Sequence, residues 1–228
     1  MKILKNLPAN SALAVAVFML TGCGGGGGSA PSPQPTPPPT NVSTQELTTT
    51  QTGYSMTFSL SGSDTAGHSY SGSQSFSVIG PTTYENLSVI EKDSLFTLTQ
   101  QGAGTFSSLA KQYIKASDHS LYKIYYPATG LTAVPTSQGF LPATINVGDF
   151  GLASVLSYSN GNTISTNWSV SDGGNGRLKY TLTGNTNGGL SEADSLFIDS
   201  TGHITGGIII VYNFPSAGIT TTLNATRQ

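Results

Sequence analysis

The sequence predicts a mostly β, antiparallel fold, a barrel-like or sandwich meander of roughly ten to twelve strands with one short helix. Three observations predict it. From Gly53 onward apolar residues recur at every second position in short runs. The runs are separated by short loops of Asn, Asp, Gly and Ser, which join neighbouring strands into hairpins. The composition fits an extracytoplasmic β-protein with a Ser/Thr surface. Charged residues are 9%, far below the usual quarter, hydrophobic residues are 36%, and there are 28 glycines.

Tyr54, Met56, Phe58 and Leu60 alternate with Ser55, Thr57 and Ser59, the signature of a half-buried strand. The segment 61–67 reads as a hairpin loop, and 70–78 returns as the second strand until Gly80-Pro81 breaks it. The next pair is 84–90 and 95–99, with Glu91-Lys92-Asp93 as the turn between them. Phe106, Leu109, Ala110, Tyr113 and Ile114 then fall at helical spacing, with Lys111 and Lys115 on the polar side. This predicts the one short helix, at about residues 105–116, with Thr105 or Ser107 as N-cap. Strands resume at 121–126 and 141–147. They continue at 152–158, 164–170, 177–183, 195–199, 204–213 and 219–226. The turns among the last of these contain Asn160-Gly161, Asp172–Gly176, Asn187-Gly188-Gly189, Asp199–Gly202 and Pro215–Gly218, which tolerate positive φ. A sheet of this size curls into a barrel or folds over as a sandwich.

The chain begins differently. Lys2 and Lys5 precede an apolar segment, Ala12–Leu20, too short to span a bilayer as a helix. A basic start, an apolar stretch and small residues ahead of a cut make a secretory signal. Leu20-Thr21-Gly22-Cys23 follows and contains the only cysteine. This stretch resembles the lipobox of bacterial lipoproteins. The resemblance implies cleavage between Gly22 and Cys23, a diacylglyceryl thioether on Cys23, and acylation of the new amino group. It thereby implies membrane attachment through acyl chains at the bacterial cell envelope. Gly24, standing where an aspartate favours inner-membrane retention in enteric bacteria, implies the outer membrane. The expected organisation is a signal peptide over 1–22, a lipidated cysteine with a Gly-rich and Pro-rich disordered tether over 23–52, and a single β-rich domain over 53–228. The proline-rich stretch 30–40, at about 3.1 Å per residue, would hold the domain roughly 30 Å from the membrane.

Charge excludes one class of partner. The formal net charge is −2 with two of the positive charges in the signal, and Arg177 and Arg227 are the only arginines. Nucleic-acid binding needs clustered phosphate-neutralising cations, so no nucleic-acid partner is expected. With Cys23 consumed, no disulfide can form in the mature domain, which must stand on its own core.

The motifs that carry chemistry elsewhere are incomplete here. Ser108-Leu109-Ala110-Lys111 matches the Ser-x-x-Lys nucleophile motif of penicillin-binding proteins and β-lactamases, but the Lys-Thr-Gly strand that must accompany it is missing. His68, His119 and His203 are scattered near loops without metal-ligand spacing. Asp118-His119 lacks a Gly-x-Ser-x-Gly elbow to complete a triad. Asp149-Phe150-Gly151 stands without other kinase parts, and Asp172–Gly176 lacks the spaced carboxylates of a calcium loop. Glu91 with Asp93 and Glu192 with Asp194 are carboxylate pairs that read as solvated loop residues. No catalytic residue, metal or cofactor is therefore expected, and the chain is not expected to be an enzyme. The candidate ligand-binding residues are the aromatics Tyr122, Tyr126 and Trp168, with Tyr122 and Tyr126 on one strand face; the favoured reading of the same rings is core. The expected role is a non-catalytic binding or interaction module with an envelope protein, glycan or lipid partner. The alternatives are a carrier of a lipid or other small apolar ligand in a barrel cavity, and an envelope hydrolase with an unrecognised site.

Overall fold

The computed structural model describes residues 36–186, 191–214 and 219–228. Two short elements come first, β1 (Val42–Ser43) and α1 (Gln45–Thr48). The main sheet then runs through β2 (Ser55–Asp64), β3 (Ser69–Tyr84), β4 (Leu87–Gln100), β5 (Gly104–Lys115), β6 (Leu121–Tyr126) and β7 (Leu131–Gln138). A two-residue strand, β8 (Thr144–Ile145), interrupts it before β9 (Phe150–Tyr158), β10 (Thr163–Gly174), β11 (Arg177–Thr186), β12 (Ser191–Ile198), β13 (Ile204–Phe214) and β14 (Ile219–Arg227). All but β1 and β8 pair in sequence order, every pair antiparallel, and β14 closes on β2 to complete a barrel. The architecture is thus the closed form of the expected meander, at the upper end of the expected strand number.

Period two sets which side chains face in. On β2, Met56, Phe58 and Leu60 are buried in the barrel while Ser55, Thr57, Ser59, Ser61 and Ser63 face water. The interior holds three apolar clusters, centred on Phe58 and Leu223, on Ile124 and Leu156, and on Leu178 and Ile198. Glycine allows the strands to coil this tightly. Gly62 and Gly72 sit on neighbouring strands where a Cβ would stand 1.9 Å from the Thr222 carbonyl oxygen and 2.0 Å from that of Thr97. Glycine kinks of this kind let a sheet curve into closure.

An eight-stranded barrel is filled by its own side chains, and twelve strands enclose a wider interior. Here β1 pairs with β8 to form a two-stranded plug across one mouth. Val42 and Ile145, directly opposite each other in that pair, are completely buried among Trp168, Leu178 and Ile198. The folded domain therefore begins before Gly53: residues 42–48, assigned from sequence to a disordered tether, belong to the barrel. Their polar composition concealed this, because only Val42 and Leu47 carry the packing.

Four further expectations are corrected. Residues 105–116 are not a helix but lie almost wholly in β5; the α1 turn is the helix among the described residues. Phe106 packs on the core and Ala110 is buried inside, while on the outward face Tyr84 stacks on Tyr113 with ring centres 3.8 Å apart. A strand covered on both faces loses its alternation and imitates helical spacing. Glu91-Lys92-Asp93 is not a turn but the middle of β4, where Glu91 and Asp93 face outward to Lys111 and Lys92 faces inward. The turn lies instead at Glu85-Asn86, both at positive φ. Gly80-Pro81 does not end β3, which passes through it on a bulge between Val78 and Gly80. The expected strand 141–147 is the plug loop, with only Thr144–Ile145 paired, and β7 went unpredicted because Pro135 disguises it; the proline sits beside a register shift that accommodates it.

Candidate functional site: a cavity inside the barrel

Not every inward position is apolar. On the β3–β4 wall the inward pairs are Gln74 with Phe96, Phe76 with Ser94 and Val78 with Lys92. Period two thus sets Gln74, Ser94 and Lys92 among core aromatics, facing a cavity of about 310 Å³. Most of the remaining wall is apolar: Met56 and Phe76, then Leu182 and Leu196 from β11 and β12, and Leu47 and Leu141 from the plug.

Two polar groups on this wall lack partners among the described residues. Gln74 is 1% exposed and neither its amide oxygen nor its amide nitrogen makes a hydrogen bond; the Ser94 hydroxyl, equally buried, makes none either. Burial holds the Lys92 amine below the ordinary lysine range. Buried polar groups in native proteins are nearly always hydrogen-bonded, since leaving one without a partner costs about 1–3 kcal/mol. Gln74 and Ser94 are two such groups, and Lys92 stands beside them on the same inward face. Asp194, 9% exposed, faces the same cavity from β12.

The plug is fastened at the rim by one carboxylate. Glu46 of α1 accepts hydrogen bonds from the Tyr54 hydroxyl (2.6 Å), the Ile204 backbone N–H and the Arg227 guanidinium (2.9 Å). Burial pushes the Glu46 carboxyl up, but the bonds from Tyr54, Ile204 and Arg227 outweigh it, and the group sits below the usual carboxylate range. Tyr54 is pushed up to about 12 by burial and by this carboxylate. The opposite end is pinned by Asp64, which accepts from the Ala66 and His68 N–H groups and from the Tyr70 hydroxyl at 2.8–2.9 Å.

Of the sequence-derived candidates, Tyr126 is core, stacked on Tyr158 at 6.3 Å. Trp168 is also core, stacked on Tyr180, and only Tyr180 of that pair borders the cavity. Tyr122 does not share the face of Tyr126. A bulge between β5 and β6 turns it outward, where its hydroxyl donates to Glu85 at 2.7 Å and its ring meets Tyr84 edge-on. Gly22 and Cys23 lie outside the described residues. Ser108 and Lys111 fall on opposite faces of β5, so the Ser-x-x-Lys match brings no amine to the hydroxyl. Ser94 and Lys92 share a face of β4, and the Ser94 hydroxyl makes no hydrogen bond among the described residues. Asp118 caps its own turn through Ser120, and Asp149 accepts from the Asn146 N–H. The residues that sequence reasoning missed are Gln74, Ser94 and Lys92. The signal was present in the period: Lys92 and Ser94 stand four and two residues from Phe96, on the face that Phe96 and Leu98 bury.

Comparison with protein-family models, with curated proteins and with solved structures finds no match to this chain.

Proposed function

We propose that this chain is a lipid-anchored, non-enzymatic binding protein of the bacterial envelope that holds a small, largely apolar molecule inside its barrel. The carrying observation is the cavity of about 310 Å³, apolar over most of its wall but with unpartnered buried polar groups gathered on β3 and β4. Ligand sites have this character: mostly hydrophobic, in the range of about 300–1,000 Å³, with a few polar groups that fix orientation. The lipobox at Leu20–Cys23 supports the tether and the envelope location. A bilayer-spanning barrel turns apolar residues outward, whereas the outward positions of β2 are serine and threonine, which supports a domain held beside a membrane. Native mass spectrometry of the chain purified gently from its own host tests the reading. A small molecule bound at one per chain is the expected result. A bare mass from folded protein that also takes up no added apolar ligand overturns it.

A specific observation favours a second reading, an interaction module with a protein partner. Phe140 and Phe150 are 78% and 80% exposed, and Val147 is 45% exposed, all on or beside the loop that carries β8. Exposed apolar patches mark contact surfaces, whereas singly exposed apolar residues are ordinary. Crosslinking on whole cells, compared with a Phe140→Ser, Phe150→Ser double variant, discriminates this reading from the first.

A further inference from the structure

We infer that the molecule held in the cavity is a monoanion, an amphiphile of on the order of ten heavy atoms whose head, of the carboxylate type, is received by Lys92, Ser94 and Gln74. This rests on the reading of the cavity as a ligand site and adds the chemical class of its occupant.

The size follows from the volume. At about 30 Å³ for a water-sized group, 310 Å³ admits on the order of ten such groups. The head group follows from the donors. Lys92 brings an ammonium, Ser94 a hydroxyl and Gln74 an amide N–H₂, and all three stand on the inward face of two paired strands. A carboxylate accepts from each of them, whereas a hydroxyl head satisfies fewer and a cationic head repels the amine. The burial that penalises the Lys92 charge is offset once an anion pairs with it, because charge-assisted bonds are the strong ones. The tail follows from the facing wall, where Leu47, Leu182 and Leu196 offer no hydrogen-bonding side chain. Glu46, Asp93 and Asp194 also line the cavity, Glu46 bonded to Arg227 and Asp93 paired with Lys111, and these carboxylates disfavour a second negative charge, so the ligand carries one anionic group and not two.

Calorimetric titration of the full chain carrying Cys23→Ser, with octanoate, octanol and octylamine as probes, tests the inference. Octanoate is expected to bind about tenfold to a hundredfold more tightly than octanol, the range for bonds to a charged group. Octylamine is expected to bind more weakly than either. Lys92→Met should lose that octanoate advantage while leaving octanol affinity within about threefold, a shift under one kcal/mol. The variant should fold, because an unpaired buried charge is replaced by an apolar chain of similar length. Ser94→Ala, which makes no cavity of consequence, should weaken octanoate alone and serves as the second variant. Equal binding of octanoate and octanol, unchanged by Lys92→Met, overturns the anionic head while the cavity remains a ligand site. Failure of all three probes to bind folded protein overturns both.

Discussion

Glu46→Ala is the substitution that most directly tests how the plug is held. The carboxylate is 8% exposed and takes bonds from Tyr54, the Ile204 N–H and Arg227. Truncation leaves the Tyr54 hydroxyl and the Ile204 N–H without their acceptor. Arg227, 23% exposed and also bonded to the Ile204 carbonyl, retains a partner and access to water. Bonds to a charged group contribute about 1.5–3 kcal/mol each, so two lost in a shared network give about 3–5 kcal/mol. That is a large part of the roughly 5–15 kcal/mol that holds an ordinary domain together. Glu46→Gln keeps shape and one acceptor and should cost only about 1–2 kcal/mol. Urea unfolding read by midpoint and slope measures both. The pH dependence has a defined sign. The folded carboxyl lies below its ordinary value, so its contribution is complete above the unfolded value near 4.5 and disappears as pH falls through the folded value. Other carboxylates titrate in both proteins, so the stability difference between the native chain and Glu46→Gln should shrink in acid and hold steady from neutrality upward. A Glu46→Ala protein within about 0.5 kcal/mol of the native chain, the spread of ordinary surface changes, would refute the fastening.

Three other perturbations have definite outcomes. Gly151→Ala places a Cβ 2.9 Å from the Trp168 indole, so the only tryptophan must move; a loss of about 1–3 kcal/mol with a changed emission maximum is expected, and unaltered emission would count against the packing. Asp64→Asn removes charge from an acceptor shared by Ala66, His68 and Tyr70 and should lower stability by about 1–3 kcal/mol at neutral pH. Because the Asp64 carboxyl is held below its ordinary range, that loss should fade as pH drops through the folded value, as unfolding at graded pH will show. Cys23→Ser should release the chain from the membrane fraction and block lipid-dependent processing; a variant that still sediments with membranes would end the anchor reading.

The sequence conveyed what depends on local periodicity and hid what depends on which surfaces meet. β2 was legible because its outward residues are all serine and threonine, and β10 because Ile164, Thr166, Trp168 and Val170 alternate inward with polar neighbours. β5 was illegible because Tyr113 is buried from the outside by Tyr84, a contact set by the length of the β3–β4 hairpin. Lys92 was misread for a related reason. Three consecutive charges look like a turn, and only the pairing of Glu91 and Asp93 with Lys111 shows that two face out while the third faces in. The plug was hidden because its hold comes from Val42, Leu47 and one carboxylate, too few apolar residues to form a pattern.

These features are physically connected. A closed sheet of twelve strands has an interior wider than its own side chains fill, and without a disulfide the domain must fill that space with chain or leave it to a ligand. β1, α1 and β8 occupy one mouth, and the remaining space lies between Leu47 and Leu141 of the plug and the polar patch on β3 and β4. The segment that lines the cavity is also the segment that leads back toward Cys23. A fragment cut at Gly53 would lose Val42, Glu46 and Leu47 together, exposing the Leu178 and Ile198 core and removing one side of the cavity wall. A pull on residues 36–41 therefore acts first on the pairing of Val42 with Ile145 and on the bonds of Glu46.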